Sequence, residues 1–407
     1  MRNSHIDQQE PYSSAPLSAG IRSRFLEANG LRVHVLEAGY ETPGRPCILL
    51  LHGFPELAYS WRKNMLPLAE QGYHVIAPDL RGCGRTTGWE QGYDVNLHAF
   101  GTLNMVTDAV SLVAAAGHTQ VRLVVGHDAG VQIAAFAALI RPDIFQSLAL
   151  MSIPFGGVAG LGNGSLPGPF AEDPIHRELK TLPRPRKHYT LYFSSPEADR
   201  DMLCAAQGLN DFLRAYFHCK SADREENHPH PLSAWSAETL AELPEYYIME
   251  ADRDMPATAA RMMPTGKQID DCAWLTDGEL AVYAEEYRRT GFQGALNWYR
   301  TGTNGLNAQE TRLFAGRRIQ VPTMFLAGRS DWGAYQFPGS LEAMESAACE
   351  DYRGSFFLDH AGHWVQQEQP EKTNELLIQF LASTDREITR RSELNKGKTQ
   401  QARRRYD

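Results

Sequence analysis

The chain has 407 residues, 43 % hydrophobic, 22 % charged and 10 % aromatic, enough to bury a sizeable core in one large domain with an insertion, or in two domains. A net charge of -9 argues against nucleic acid as the main partner, because phosphate binding needs a basic face. No apolar run reaches the ~18–20 residues of a membrane helix, and "MRNSHIDQQEPYSSAPLSAG" lacks the apolar core of a secretory signal. The expected setting is therefore soluble and cytoplasmic.

Residues 1–23 are polar and are expected to be poorly ordered. "RFLEANGLRVHVLEAG" then reads as a hairpin, two β-like runs around Asn29-Gly30. "PCILLLHG" and "HVIAPDLRG" are buried strands, with a helical pattern from about Tyr59 to Gln71 between them. A longer helix is predicted over 94–117, stopped by Gly117. "VRLVVGHD", "GVQIAAFAALIRP" and "QSLALMSIP" follow as strand, helix and strand. The alternation breaks after Pro154. Residues 155–315 are Pro-, Tyr- and Met-rich, with helical pieces and no strand rhythm, and it returns with "VPTMFLAG", "GSFFLDHAG" and a helix over about 371–383. The basic stretch 384–407 reads as a solvated tail.

Apolar strands alternating with helices imply an α/β fold, a mostly parallel sheet covered on both faces. The domains are then a core of 24–154 and 316–383 and a helical cap of 155–315, inserted after the strand that follows the "GVQIAAFAALIRP" helix. Such a cap closes over the carboxyl ends of the strands, where sheets of this kind bind ligands. The six cysteines have no C-x-x-C pair, which suits reduced thiols better than disulfides or zinc. "NHPHP" (His228, His230) has no further ligands at metal-site spacing and reads as a loop. Neither a metal nor a cofactor is expected.

"VVGHDAGV" (124–131) has the frame of a nucleophile elbow, G-x-S-x-G, with Asp128 where acyl hydrolases carry serine. A carboxylate is a poor nucleophile toward a carbonyl, but it displaces a leaving group from sp³ carbon and forms an alkyl ester. Water then frees the ester at its acyl carbon; a serine ether would be a dead end. Asp128 thus selects alkyl-ester catalysis. Water needs a base, and "DHAGHWVQQEQPEK" supplies His360 and His363 after the final strand. Chemistry alone does not separate the two. His363 is preferred because it follows Ala361-Gly362 and precedes the closing helix. Asp331, in the loop after "FLAG", completes the order nucleophile, acid, histidine. Backbone N–H groups of Phe54 and Ala129 are the expected oxyanion donors, and Pro55 is a position for a cis bond.

"HGFPE", "GHDAG", "GRSDWGAYQ" and "AGHWVQQEQPEK" together resemble the soluble epoxide hydrolases of the α/β-hydrolase fold, from about Arg24 to Ser383. Two cap segments extend the resemblance. "HYTLYF" and "TGFQGALNWYR" look like those carrying the family's two proton-donating tyrosines, which fall on Tyr189 and Tyr299. The resemblance implies an epoxide and water as reactants, with both phenols serving the alkoxide that forms as the ring opens. Pro55, His127, Tyr192 and Trp364 are the further expected substrate contacts. A homo-oligomer is compatible with the sequence.

Two departures stand out. The family often has Trp after the nucleophile; Ala129 keeps the amide but removes a wall, which widens the pocket and suggests a bulky apolar epoxide. The stretch 246–274 has no functional reading from sequence. The nearest rival is a dehalogenase, which shares the Asp-His-Asp set but needs N–H donors for halide that Ala129 and Phe54 side chains do not supply. A non-catalytic small-molecule-binding relative and an epoxide opened by an internal hydroxyl are the other readings.

Overall fold

The computed structural model of the protein describes residues 10–12, 16–158, 160 and 170–384. The strands in chain order are β1 (Ile21–Ala28), β2 (Leu31–Ala38), β3 (Cys47–Leu51), β4 (His74–Pro78), β5 (Val121–His127), β6 (Leu148–Met151), β7 (Arg186–His188), β8 (Ile248–Glu250), β9 (Thr323–Gly328) and β10 (Tyr352–Leu358). Eight of them form one sheet in the order β1-β2-β4-β3-β5-β6-β9-β10. The pairs β1/β2 and β2/β4 are antiparallel, and all others in this sheet are parallel. Central β3 and β5 are buried at every residue, as expected of strands covered on both faces. Asn29 (φ 47°) and Gly30 (φ 73°) make the two-residue turn between β1 and β2, the pair of positive φ values that a tight hairpin requires. This is the α/β-hydrolase fold.

Four expectations need correction. Residues 1–23 are not uniformly loose: β1 begins at Ile21, and Tyr12 packs edge-on against His34 and under the Arg85 guanidinium. Residues 1–9 and 13–15 of that segment, and the tail from 385, lie outside the described residues. The helix expected over 59–71 is a 3-10 turn, Ala58–Trp61, and a separate helix, Met65–Glu70. That expected over 94–117 is likewise a 3-10 turn, Leu97–Phe100, and a helix, Thr102–Ala115, parted at Gly101. Finally, the cap does contain strands. β7 and β8 pair antiparallel, His188 with Ile248, and the ladder runs on through the Tyr189 amide to the Tyr247 carbonyl at 2.8 Å. Three-residue strands such as "RKH" and "IME" are too short to carry a two-residue alternation.

Part of 246–274 thus gains a structural account. β8 brings Glu250 into an ion-pair cluster with Arg184, Arg253 and Arg261 on the cap's outer side, while Tyr246 and Tyr247 turn inward and are buried.

Candidate active site

At the end of β5 the chain turns sharply, and Asp128 sits at φ 49°, a left-handed conformation that costs energy for a residue bearing Cβ. The flanking glycines make the turn feasible. A Cβ on Gly126 would come within 2.5 Å of the Gly130 carbonyl oxygen, and one on Gly130 within 2.5 Å of that of Leu51. Gly53 is as tightly bound, since its Cβ would meet that of Asp128 at 2.3 Å. The next strand end therefore has room for the carboxylate only because it too lacks a side chain. The Phe54 amide donates to Asp128 Oδ1 at 3.0 Å, and the bond from Phe54 to Pro55 is cis. Ala129 precedes the helix Gly130–Ile140, so its amide heads that helix beside the carboxylate.

Three chain segments meet around the other carboxylate oxygen. His363 Nε2 stands 3.2 Å from Asp128 Oδ2, and its Nδ1 stands 3.1 Å from Asp331 Oδ1. Ser152 Oγ, at the end of β6, lies 2.7 Å from the same Nδ1. A proton on Nδ1 serves these acceptors, while Nε2 faces Asp128 Oδ2. Asp331 is steadied by the Gly333 amide at 2.7 Å. Of the two histidines in "DHAGHW", His363 is fully buried in this cluster and His360 is exposed.

Burial opposes ionisation of Asp128, yet His363, Lys220 and His127 together hold its carboxyl well below the usual range. Burial likewise opposes ionisation of Asp331, and His363, Ser152 and the Gly333 amide keep it low. Both carboxylates are ionised at neutral pH.

The two cap tyrosines come together over this set. Tyr189 follows β7 directly, and Tyr299 lies on the helix Gln293–Thr303, with ring centroids 6.0 Å apart. The Tyr299 helix is fixed at its start and along its side. Asp199 Oδ1 accepts from the Phe292 and Gln293 amides at 2.6 and 3.0 Å. Gly294 packs so closely on Gly82 that a Cβ there would meet the Gly82 carbonyl oxygen at 2.2 Å. Trp298 Nε1 donates to the Arg81 carbonyl at 2.9 Å. Tyr189 Oη donates to Gln336 Oε1 at 3.4 Å. Burial, then the nearby Asp128 charge, raises both phenol pKa values, so both keep their protons. Ala129 and Tyr299 line a cavity of about 400 Å³ that extends over Phe100, Met105 and Ile133.

Three of the further expected substrate contacts are engaged elsewhere. His127 is fully buried, with Nδ1 2.5 Å from Glu56 Oε2 and Nε2 2.8 Å from the His363 carbonyl oxygen, so it has no ring nitrogen left for a substrate. Tyr192 directs its hydroxyl to Asp201 at 3.3 Å, within the cap. Trp364 is buried behind His363, edge-on at 4.6 Å, and donates its indole N–H to the Phe217 carbonyl at 2.8 Å. Sequence reasoning missed Ser152, Gln336, Glu56 and Lys220. Only Glu56 carried a signal, as the last residue of "HGFPE".

These features define a capped α/β-hydrolase site with a carboxylate at its elbow. A family model described as alpha/beta hydrolase fold matches residues 46–177. The chain is 33 % identical to epoxide hydrolase A of Mycobacterium tuberculosis over 367 residues, 89 % of this chain and 98 % of that one. It is 29 % identical to an epoxide hydrolase of Caballeronia sordidicola, over 91 % and 97 % of the two chains. Potato epoxide hydrolase I superposes with a TM-score of 0.68 at 29 % identity, covering 89 % of this chain and 99 % of that structure. The chain belongs to the epoxide hydrolase family.

Proposed function

We propose that the chain hydrolyses epoxides to vicinal diols through an alkyl ester on Asp128. The observation that carries this reading is the pair of phenols, Tyr189 and Tyr299, over a buried carboxylate that has an amide on one oxygen and an imidazole nitrogen 3.2 Å from the other. In the first step an Asp128 oxygen attacks an oxirane carbon. The C–O bond breaks, its electron pair passes to the oxygen, and a phenol protonates that oxygen. An alkoxide is a strong base, so these O–H donors bind far more tightly in the transition state than to the closed ring.

In the second step His363 Nε2 takes a proton from water, and the hydroxide attacks the Asp128 acyl carbon. Asp331 and Ser152 orient the imidazole, and Asp331 offsets its positive charge. The developing oxyanion is met by the amides of Phe54 and Ala129. Collapse releases the diol and restores the carboxylate.

The cavity lined by Ala129 and Tyr299 favours a bulky apolar epoxide, because a large side chain at position 129 would narrow it. Halide displacement would use the same carboxylate, but it would leave two protonated phenols facing a leaving group that needs no proton. The test is an epoxide panel from styrene oxide to polycyclic epoxides, assayed for diol. The wild type should form diol and Asp128→Ala should form none. Diol formation by that variant at the wild-type rate would overturn the reading.

A further inference from the structure

Lys220 ends the cap helix Leu209–Lys220, and its carbonyl accepts the His363 amide at 2.9 Å. Its side chain is only 3 % exposed. Lysine is rarely buried unless it is paired, and among the described residues this one makes neither an ion pair nor a side-chain hydrogen bond. Its Nζ instead faces aromatic rings, 4.7 Å from the centroid of Tyr247, 5.4 Å from Tyr216, 5.9 Å from Tyr246 and Trp364, and 6.0 Å from Tyr189. Such faces hold a cation without quenching its charge. Burial lowers the ammonium pKa, and Asp128, Asp331 and Glu56 act against that. Two of these rings, Tyr216 and Tyr247, have hydroxyls that are buried without a hydrogen-bond partner. The Tyr189 ring is one of the five that Nζ faces, and the Tyr299 ring is not.

We propose that Lys220 is a positioning residue for ring opening, stabilising the phenolate left on Tyr189 when that phenol gives its proton to the opened epoxide oxygen. The inference rests on the epoxide reading above. It assigns unequal tasks to the two phenols: Tyr189 transfers a proton, and Tyr299 donates a hydrogen bond. The protons balance. Hydrolytic water supplies its oxygen to the Asp128 carboxylate and releases two protons, one for the freed ester oxygen and one to restore Tyr189. The ammonium keeps its own protons throughout and contributes only its field. That field is strong because Lys220 is buried, and it requires no reorganisation at the moment of reaction.

The test is stopped-flow kinetics on the intact chain with styrene oxide, following tryptophan fluorescence for ester formation and the near-ultraviolet tyrosinate band. Lys220→Met, which keeps the length of the stem, should slow ester formation about tenfold or more, equivalent to ~1.4 kcal/mol, and leave ester hydrolysis within about twofold. Lys220→Arg should recover most of the rate. In a Tyr189→Phe background the same Met substitution should have little further effect, because Lys220 acts through Tyr189. Equal slowing of both steps, or the same loss with and without Tyr189, would overturn the proposal. The wild type gives a second check that needs no Lys220 variant. Its tyrosinate band should rise with ester formation and vanish in Tyr189→Phe; ester formation without the band would refute the assignment. Failure of the wild type to turn over any epoxide would instead overturn the epoxide reading itself.

Discussion

Glu56 Oε2 and His127 Nδ1 lie 2.5 Å apart, with both side chains fully buried next to the turn that carries Asp128. His127 Nε2 in turn reaches the His363 carbonyl at 2.8 Å, and Glu56 Oε1 takes the side-chain amides of Gln366 and Gln367 at 2.8 and 2.9 Å. One ion pair therefore ties the "HGFPE" turn, the elbow and the loop bearing the candidate base. Burial alone would lower the His127 pKa, but Glu56, Asp128 and the His363 carbonyl push it up to about 9.

Breaking this pair should be costly. Glu56→Gln leaves a histidine cation buried without its carboxylate, a change worth roughly 3–5 kcal/mol when one partner of a buried pair is removed. Urea unfolding monitored by circular dichroism should show that loss of stability. A loss below ~1 kcal/mol, the scale of an exposed pair, would mean that the pair does not bind the three segments.

The same pair sets a pH dependence. The folded pKa of His127, about 9, lies above its ordinary value of 6.5, so the folded state binds the extra proton. This contribution is complete below pH ~6.5 and is lost as pH rises through ~9, a fall on the order of 3 kcal/mol at most. Glu368 acts in the same direction, because burial, against three backbone amides, pushes its carboxyl up to about 8. Urea midpoints should therefore decline across that range, and the decline should flatten in His127→Gln. A midpoint that rises with pH would contradict the assignment.

Glu368 is also a mechanical link. Its Oε2 accepts from the Ala222 amide of the cap at 2.8 Å and the Gly362 amide at 2.9 Å, and Oε1 accepts from Trp364 N at 3.0 Å. Glu368→Ala strands these donors and should cost about 1–3 kcal/mol per buried unsatisfied group. Amide exchange at Ala222, Gly362 and Trp364 should accelerate together. Acceleration at Ala222 alone would mean that Glu368 does not join the cap to the loop that carries His363.

Ala129→Trp should convert the enzyme toward small substrates. The indole would enter the cavity that Ala129 and Tyr299 line, so kcat/KM for polycyclic epoxides should fall by roughly a hundredfold, with styrene oxide losing about tenfold or less. Equal losses for both sizes would place the substrate outside that cavity.

Much of the candidate site was legible because elbow geometry writes itself into sequence. Gly126, Asp128 and Gly130 must recur at fixed spacing for a strained turn to fit, and Gly53 for the carboxylate to approach. Tyr189 and Tyr299 emerged from family resemblance, and the packing reason for "GALNWYR" is the contact of Gly294 with Gly82 and of Trp298 with Arg81. Lys220 was invisible, since a lysine ending a helix normally points to solvent and neutralises the helix dipole. Only the tertiary arrangement of Tyr216, Tyr246 and Tyr247 shows that it is enclosed. The side-chain directions of His127, Tyr192 and Trp364 are hidden for a related reason. Adjacency in the chain says nothing about which way a ring faces, and each has its polar atoms bound away from the substrate space.

His363→Gln should separate the two chemical steps. It removes the candidate base and leaves Asp128 with its Phe54 donor, so ring opening should proceed while hydrolysis slows by roughly 10²–10⁴-fold. Intact-mass spectra should then show enzyme carrying one equivalent of the epoxide. Unmodified enzyme together with undiminished turnover would exclude His363 as the base.

The most direct test is a single turnover with enzyme in excess over an epoxide in heavy-oxygen water, followed by peptide mapping of Asp128. An ester cleaved at its acyl carbon puts the heavy oxygen into the Asp128 carboxylate and leaves the first diol unlabelled. A labelled diol with an unlabelled Asp128 would mean that water attacks the epoxide directly, and would contradict alkyl-ester catalysis at this site.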